Sequence, residues 1–108
     1  MSDETYPTAA INAVNSLLVF LGKRGVKTEA RQRAFLILAR EGIISAIDLA
    51  DELNISVPAA GEAIAALEYP ANLATREIIH GRRYGKISDE GKKKALAFNL
   101  IRKEEGDE

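Results

Sequence analysis

The stretch HGRRYGKISDEG, His80 to Gly91, sets two adjacent arginines, a tyrosine and a lysine around a glycine-containing turn. A guanidinium offers five N–H donors in a planar fork that matches a phosphate, so Arg82 and Arg83 beside Lys86 have the chemistry of an anion holder. Alternation along a strand would put Arg82, Tyr84 and Lys86 on one face, with Arg83 at the turn. Lys92, Lys93 and Lys94 then open a helical pattern. The helix dipole disfavours cations there, which suggests a counter-charge outside the helix. A nucleic-acid backbone fits this chemistry. An exposed hairpin whose charges keep its edges from pairing fits it too.

Few other residues could do chemistry. The chain has one histidine and no cysteine, so disulfides and thiolate metal sites are ruled out. His80, a turn residue, has no second imidazole with which to hold a metal. No nucleophile stands beside a recognisable base, and no glycine-rich phosphate loop opens a helix. Asp51 and Glu52 are adjacent on a helix and point in different directions, as solvated surface does. The expectation is a protein that is not an enzyme and uses no metal or cofactor.

The elements that would position the basic residues lie in a chain of 108 residues, the size of one domain with a modest core. With 46% hydrophobic and 29% charged residues it reads as globular. The net charge is −1, but Asp3, Glu4, Glu104, Glu105, Asp107 and Glu108 fall in terminal segments, and from Thr5 to Lys103 15 cations face 10 acids. A basic body between acidic ends is compatible with a polyanion partner, or the ends simply aid solubility. The N-terminus MSDETYPTAA lacks the basic start and apolar stretch of a secretion signal, and the apolar run Leu17 to Leu21 is far too short to span a bilayer. A cytoplasmic protein without membrane contact is expected.

Apolar spacing predicts a first helix over 9–23, with Ile11, Val14, Leu18 and Leu21 on one face and Gly22 and Gly25 ending it. Thr28 caps a second helix that stops at Gly42 and buries FLILA near its end. Gly42-Ile43-Ile44 reads as a minimal strand. Ser45 and Asp48 in SAID cap a helix to about Leu53. The turn NIS follows, and Ser56 caps a helix with Pro58 in its first turn, running to about Glu68. Beyond YPAN, Thr75–His80 and Arg83–Ser88 read as a hairpin turning at His80-Gly81-Arg82. Ser88 caps a last helix over 89–103, with a broad apolar face of Leu96, Ala97, Phe98, Leu100 and Ile101.

AIDLADELNISVPAAGEAIAALE, Ala46 to Glu68, resembles the helix-turn-helix of winged-helix transcription regulators, and RRYGKISDEGKKKAL resembles the wing and the cap-and-glycine step of the MarR and PadR groups. The likeness spans about residues 43 to 96. Leu49, Leu53, Ile55, Ile64 and Leu67 fall at that family's core positions, Ala50 at its close helix crossing, and Ser88 and Gly91 at the cap and glycine after the wing. The resemblance implies a mainly α fold with a small antiparallel β-hairpin (α+β), a winged helix-turn-helix with extra N- and C-terminal helices that build a homodimer. A single domain over 8–103 would hold the helix-turn-helix (45–68), the wing (75–88) and terminal helices (9–23 and 89–103). An acidic disordered tail (1–7) and an acidic tail (104–108) would flank it.

The resemblance also implies a small transcription regulator that binds double-stranded DNA. Its contacts would be Ser56, Val57, Pro58, Ala59, Gly61 and Glu62 on the reading helix. Arg82, Arg83, Tyr84 and Lys86 on the wing and Lys92, Lys93 and Lys94 beyond it would add to them. Two features depart from the family. Among the outward candidates Val57, Pro58, Ala59, Gly61, Glu62 and Ala63 there is no Arg, Lys, Asn or Gln, so bidentate pairing to a purine edge is missing. Glu62 could accept from a cytosine amine at a cost beside phosphates, and Ala59 or Ala63 could meet thymine methyls. The link YPANLATRE is also longer than the family's. The apolar, acid-containing face Val57 to Ala66 suits a winged-helix protein–protein interaction module in a larger assembly, which stands as the alternative. The two readings differ in whether Arg82, Arg83 and Lys92 to Lys94 share a face with the start of the Ser56 helix.

Overall fold

The computed structural model describes residues 8–101. They form α1 (Thr8–Lys23), α2 (Glu29–Glu41), β1 (Ile43–Ser45), α3 (Ala46–Leu53), α4 (Val57–Glu68), β2 (Ala74–Ile79), β3 (Arg82–Ile87) and α5 (Asp89–Ala97). The expected order of elements and the α+β winged helix-turn-helix are both found. The tails at 1–7 and 104–108 lie outside the described residues, as do the side chains of Ile11 and Val14.

Local chemistry explains where the helices begin. Thr28, Ser45, Ser56 and Ser88 each accept, through the side-chain hydroxyl, the N–H three residues on, at 3.2, 3.0, 3.2 and 2.9 Å. Each cap satisfies one N–H that the helix leaves without a partner, worth about 1 kcal/mol. Asn54 closes α3 at φ 57°, with its own N–H and that of Ile55 turned back to the carbonyls of Asp51 and Ala50.

The last helix is shorter than expected. It stops at Ala97, because Asn99 takes φ 61° and the N–H groups of Asn99 and Leu100 donate to the carbonyls of Leu96 and Ala95 at 3.0 and 2.8 Å. Asn tolerates this left-handed conformation, and the pair of bonds caps the helix end. Phe98, Leu100 and Ile101 pack on the core from a turn, not from a continuing helix; 102 and 103 lie outside the described residues.

The sheet runs β1-β3-β2, antiparallel throughout, so β1 makes it three-stranded where a hairpin alone is the minimum. β1 pairs with β3 from Ile43↔Lys86 to Ser45↔Tyr84, and β2 pairs with it from Ala74↔Ile87 to Ile79↔Arg82. The helices cover one face. Leu21, Val26, Phe35, Leu49, Ile64, Leu67 and Leu73 are fully buried between them, each worth about 1.5–3 kcal/mol. Ala50 is buried where α3 crosses α4, and Ile55 is partly buried against the same core. The long link into the wing is part of that core: Ala71 and Leu73 are inaccessible, and Leu73 donates to the Leu67 carbonyl at 2.8 Å.

Arg24, just past α1, ties that helix to the rest. Its guanidinium donates to the Ala71 carbonyl and to Glu90 Oε2, both at 2.7 Å, and lies 4.8 Å from the centre of the Phe20 ring. The Phe20 ring in turn meets Phe98, centroids 5.5 Å apart. The hydrogen bond from Arg24 is the main reason the Glu90 carboxyl titrates below its usual range; partial desolvation opposes it, and Lys94 and Lys93 reinforce it. A carboxyl with a depressed folded pKa stabilises the fold above its unfolded pKa and loses that contribution as pH falls through the folded value. Glu90→Gln should therefore lose less stability than the wild type between about pH 6 and about pH 3 in thermal melts. Equal losses would show that the pair does not contribute.

Candidate nucleic-acid interface

The wing reverses through His80-Gly81, with φ 51° and 78°, a two-residue turn in which both central residues are left-handed. This tight turn makes Arg82 the first residue of β3, opposite Ile79. Arg82, expected in the turn, is thus a strand residue, and Arg83 lies within the strand that the sequence predicts from it and not at the turn. Alternation then turns Arg83 to the same face as Gly85 and Ile87, toward α4, while Arg82, Tyr84 and Lys86 take the other face as expected. β1 reaches only Tyr84, so the end of the hairpin carrying Ile78 to Arg83 projects beyond the three-stranded part.

α4 lies against β3 and starts at the wing tip. A Cβ at Gly85 would come within 3.1 Å of the Ile64 side chain, and one at Gly61 within 3.1 Å of Arg83 Nη1. The two glycines let helix and sheet close up, and the Arg83 guanidinium lies over the Gly61 backbone. A groove of about 370 Å³ opens here, lined by Ser45, Ala46 and Ile47 of the α3 start, Val57, Pro58 and Gly61 of α4, and Gly81, Arg82 and Arg83 of the wing. The Nε of Arg83 is buried without a hydrogen-bond partner.

Charge is distributed unevenly around this groove. Arg40 is paired with Glu41 and Glu52 at 2.7 and 2.6 Å, Arg76 with Glu68 at 3.3 Å, and Arg24 with Glu90. Arg76 is thereby neutralised within the wing. Arg82 and Arg83 have no acid partner among the described residues, and they sit beside the positive end of the α4 dipole. On the other side of α3, Glu41, Asp48, Asp51 and Glu52 gather around Ile43 and Tyr84. The wing tip is therefore the positive corner and the back of the motif the negative one.

The remaining candidates divide. Ser56 is the α4 cap, and Val57, Pro58 and Glu62 are exposed, with Ala59 half-buried. Ala63 is 2% exposed and packs in the core, so it cannot meet a base; Gly61 is buried under Arg83. Both lie on the inward face because α4 leans on β3 along that side. Tyr84 is half-buried opposite Ser45 and Lys86 is exposed, on the face of the sheet away from α4. Lys92, Lys93 and Lys94 are the fourth to sixth of the nine residues of α5, which starts with Asp89 and Glu90 and has Lys94 in its last turn. Along the chain, the rest of β3 and the first turn of α5 lie between these lysines and the arginines. Lys94 lies 5.6 Å from the Phe20 ring centre.

Two residues of this region escaped the sequence reading. Ile47 lines the groove at 48% exposure and Ile78 is exposed on the wing. Ile47 was legible in principle: Ala46, Leu49, Ala50 and Leu53 define the buried face of α3, and Ile47 falls off it. Among the described residues no group of His, Asp and Glu could hold a metal ion, and no helix is long and apolar enough to cross a membrane.

No family model and no curated protein sequence matches the chain. Solved structures do. NadR, crystallised with 4-hydroxyphenylacetate, superposes with a TM-score of 0.57 at 23% identity over 92% of this chain and 74% of its own. YusO from Bacillus subtilis gives 0.61 at 20% identity, over 83% of this chain and 62% of its own. The antimony-specific transcriptional repressor AntR gives 0.54 at 19% identity, over 93% and 86%. These superpositions take in 83% to 93% of the chain, which has the winged helix-turn-helix fold of MarR-type transcriptional regulators.

Proposed function

We propose that the protein is a transcription regulator that binds double-stranded DNA, with the start of α4 in the major groove and the wing tip on the backbone. The observation that carries this reading is the pair Arg82 and Arg83. They lack an acid partner among the described residues, and they stand beside the N-terminal turn of α4 on a projecting hairpin. On this reading Ser56, Val57, Pro58, Ala59 and Glu62 face the bases, and Lys86 adds to the field of the wing. Lys92, Lys93 and Lys94 on α5 serve flanking phosphates. The protein acts in the cytoplasm, without catalysis, as a homodimer. Leu18 and Val19 on α1 and Leu96 on α5, exposed apolar side chains on the terminal helices, support that assembly.

The test is binding to a labelled random-sequence duplex across a salt series. A phosphate-holding wing gives an affinity that falls steeply and linearly on a log–log plot. An affinity that does not change between low and moderate salt would sink the mechanism.

The apolar groove supports a second reading, a protein-docking module. Ile47 and Val57 are 48% and 46% exposed side by side with Pro58. That reading gains if the protein fails to bind duplex at low salt.

A further inference from the structure

The outward strip of α4 carries one polar side chain before Glu68. Pro58, Ala59, Glu62, Ala65 and Ala66 follow one another at helical spacing on the side away from β3. Glu62 is exposed and has no ion pair among the described residues. Glu68, one turn and a half further on, is spent on Arg76. Resting on the DNA-binding reading, we infer that Glu62 is the specificity-determining residue and selects a cytosine in the major groove.

The chemistry leaves little choice of base. A carboxylate only accepts, so it is repelled by guanine, which presents the O6 and N7 acceptors. Adenine offers its N6 amine beside the N7 acceptor, which faces a second carboxylate oxygen badly. Cytosine offers an N4 amine with only a C–H next to it, so it is the base a lone carboxylate accepts best. The methyl-bearing neighbours Ala59 and Ala66, three and four residues away on the same strip, add no polar competitor. They leave thymine methyls as the compatible flanks.

The same carboxylate weakens every non-cognate complex, because it enters a field of phosphates with nothing to accept from. Glu62 thus discriminates by penalty as well as by contact. This gives the inference a signature that loss of structure cannot imitate. Removing the charge should strengthen binding to random duplex while erasing the base preference.

The experiment selects bound duplexes from a random-sequence pool with the wild type and with Glu62→Gln, and measures the affinity of each protein for the unselected pool. Thermal melts check that the exposed substitution leaves the fold intact. The wild type should enrich sites with a fixed cytosine, preferred by about tenfold over the other bases. Glu62→Gln should lose that cytosine or exchange it for adenine, to which Gln can pair bidentately, and should bind the unselected pool more tightly. The same base preference in both proteins overturns the inference while leaving DNA binding standing, as does a variant that binds the pool no better. No binding of the unselected pool by the wild type at low salt overturns both.

Discussion

Gly91→Ala is expected to lower the melting temperature by about 10 °C. Gly91 is the third residue of α5, and its N–H donates to Ser88 Oγ at 2.9 Å. A Cβ there would run into the Leu73 carbonyl oxygen and come within 2.9 Å of Ile87 Cγ1. Neither obstacle can easily yield. Leu73 is fully buried, and its carbonyl already accepts from the Ser88 N–H at 3.1 Å, the bond that joins the start of the wing to its end. Overpacking against backbone sits near the top of the usual range, about 3 kcal/mol, and the gain in helix propensity returns about 1. Gly22→Ala is the control. It adds the same methyl to α1 where nothing lies within 4 Å, so it should leave stability unchanged or raise it. A Gly91→Ala protein as stable as the wild type would show that α5 can shift away from the sheet at no cost.

The second large effect is on binding. Arg82→Ala/Arg83→Ala should flatten the slope of log affinity against log salt by about 1.8, the equivalent of two phosphate contacts. If the two lines meet near 1 M salt, that slope difference makes the variant roughly sixtyfold weaker at 0.1 M. Arg82 is exposed with no partner among the described residues, so its single replacement should change the slope by about half as much and leave the melting temperature alone. Arg83 also covers Gly61, so Arg83→Ala removes packing together with charge. Parallel salt lines for wild type and double variant would remove the wing from the interface.

Much of the fold was legible because its signals are local. The four hydroxyl caps each act within three residues, a distance at which the backbone has few alternatives, and the caps at Thr28, Ser45, Ser56 and Ser88 all formed as expected. The FLILA segment buried itself as its apolar content required, apart from Leu36 on the outer side. The end of α5 is hard to read because Phe98, Leu100 and Ile101 continue the apolar pattern past Ala97, and apolarity does not distinguish a buried helix from a buried turn. Asn99 was the available cue, a residue that accepts positive φ at a helix end.

The site was legible as a set of residue types and only partly as an arrangement. By itself the sequence determined the helix-turn-helix, the hairpin, the basic wing and the absence of cationic base readers on α4, since each follows from residue identity and short-range spacing. Tertiary structure decided which of those residues are available. It buried Ala63, set Arg83 over Gly61, paired Arg76 with Glu68, and joined Arg24 to partners 47 and 66 residues away. For Ala63 and Arg83 the reason is the close approach of α4 to β3. It depends on two glycines and an isoleucine packing across elements, and a contact between distant segments leaves no mark in the spacing of either one.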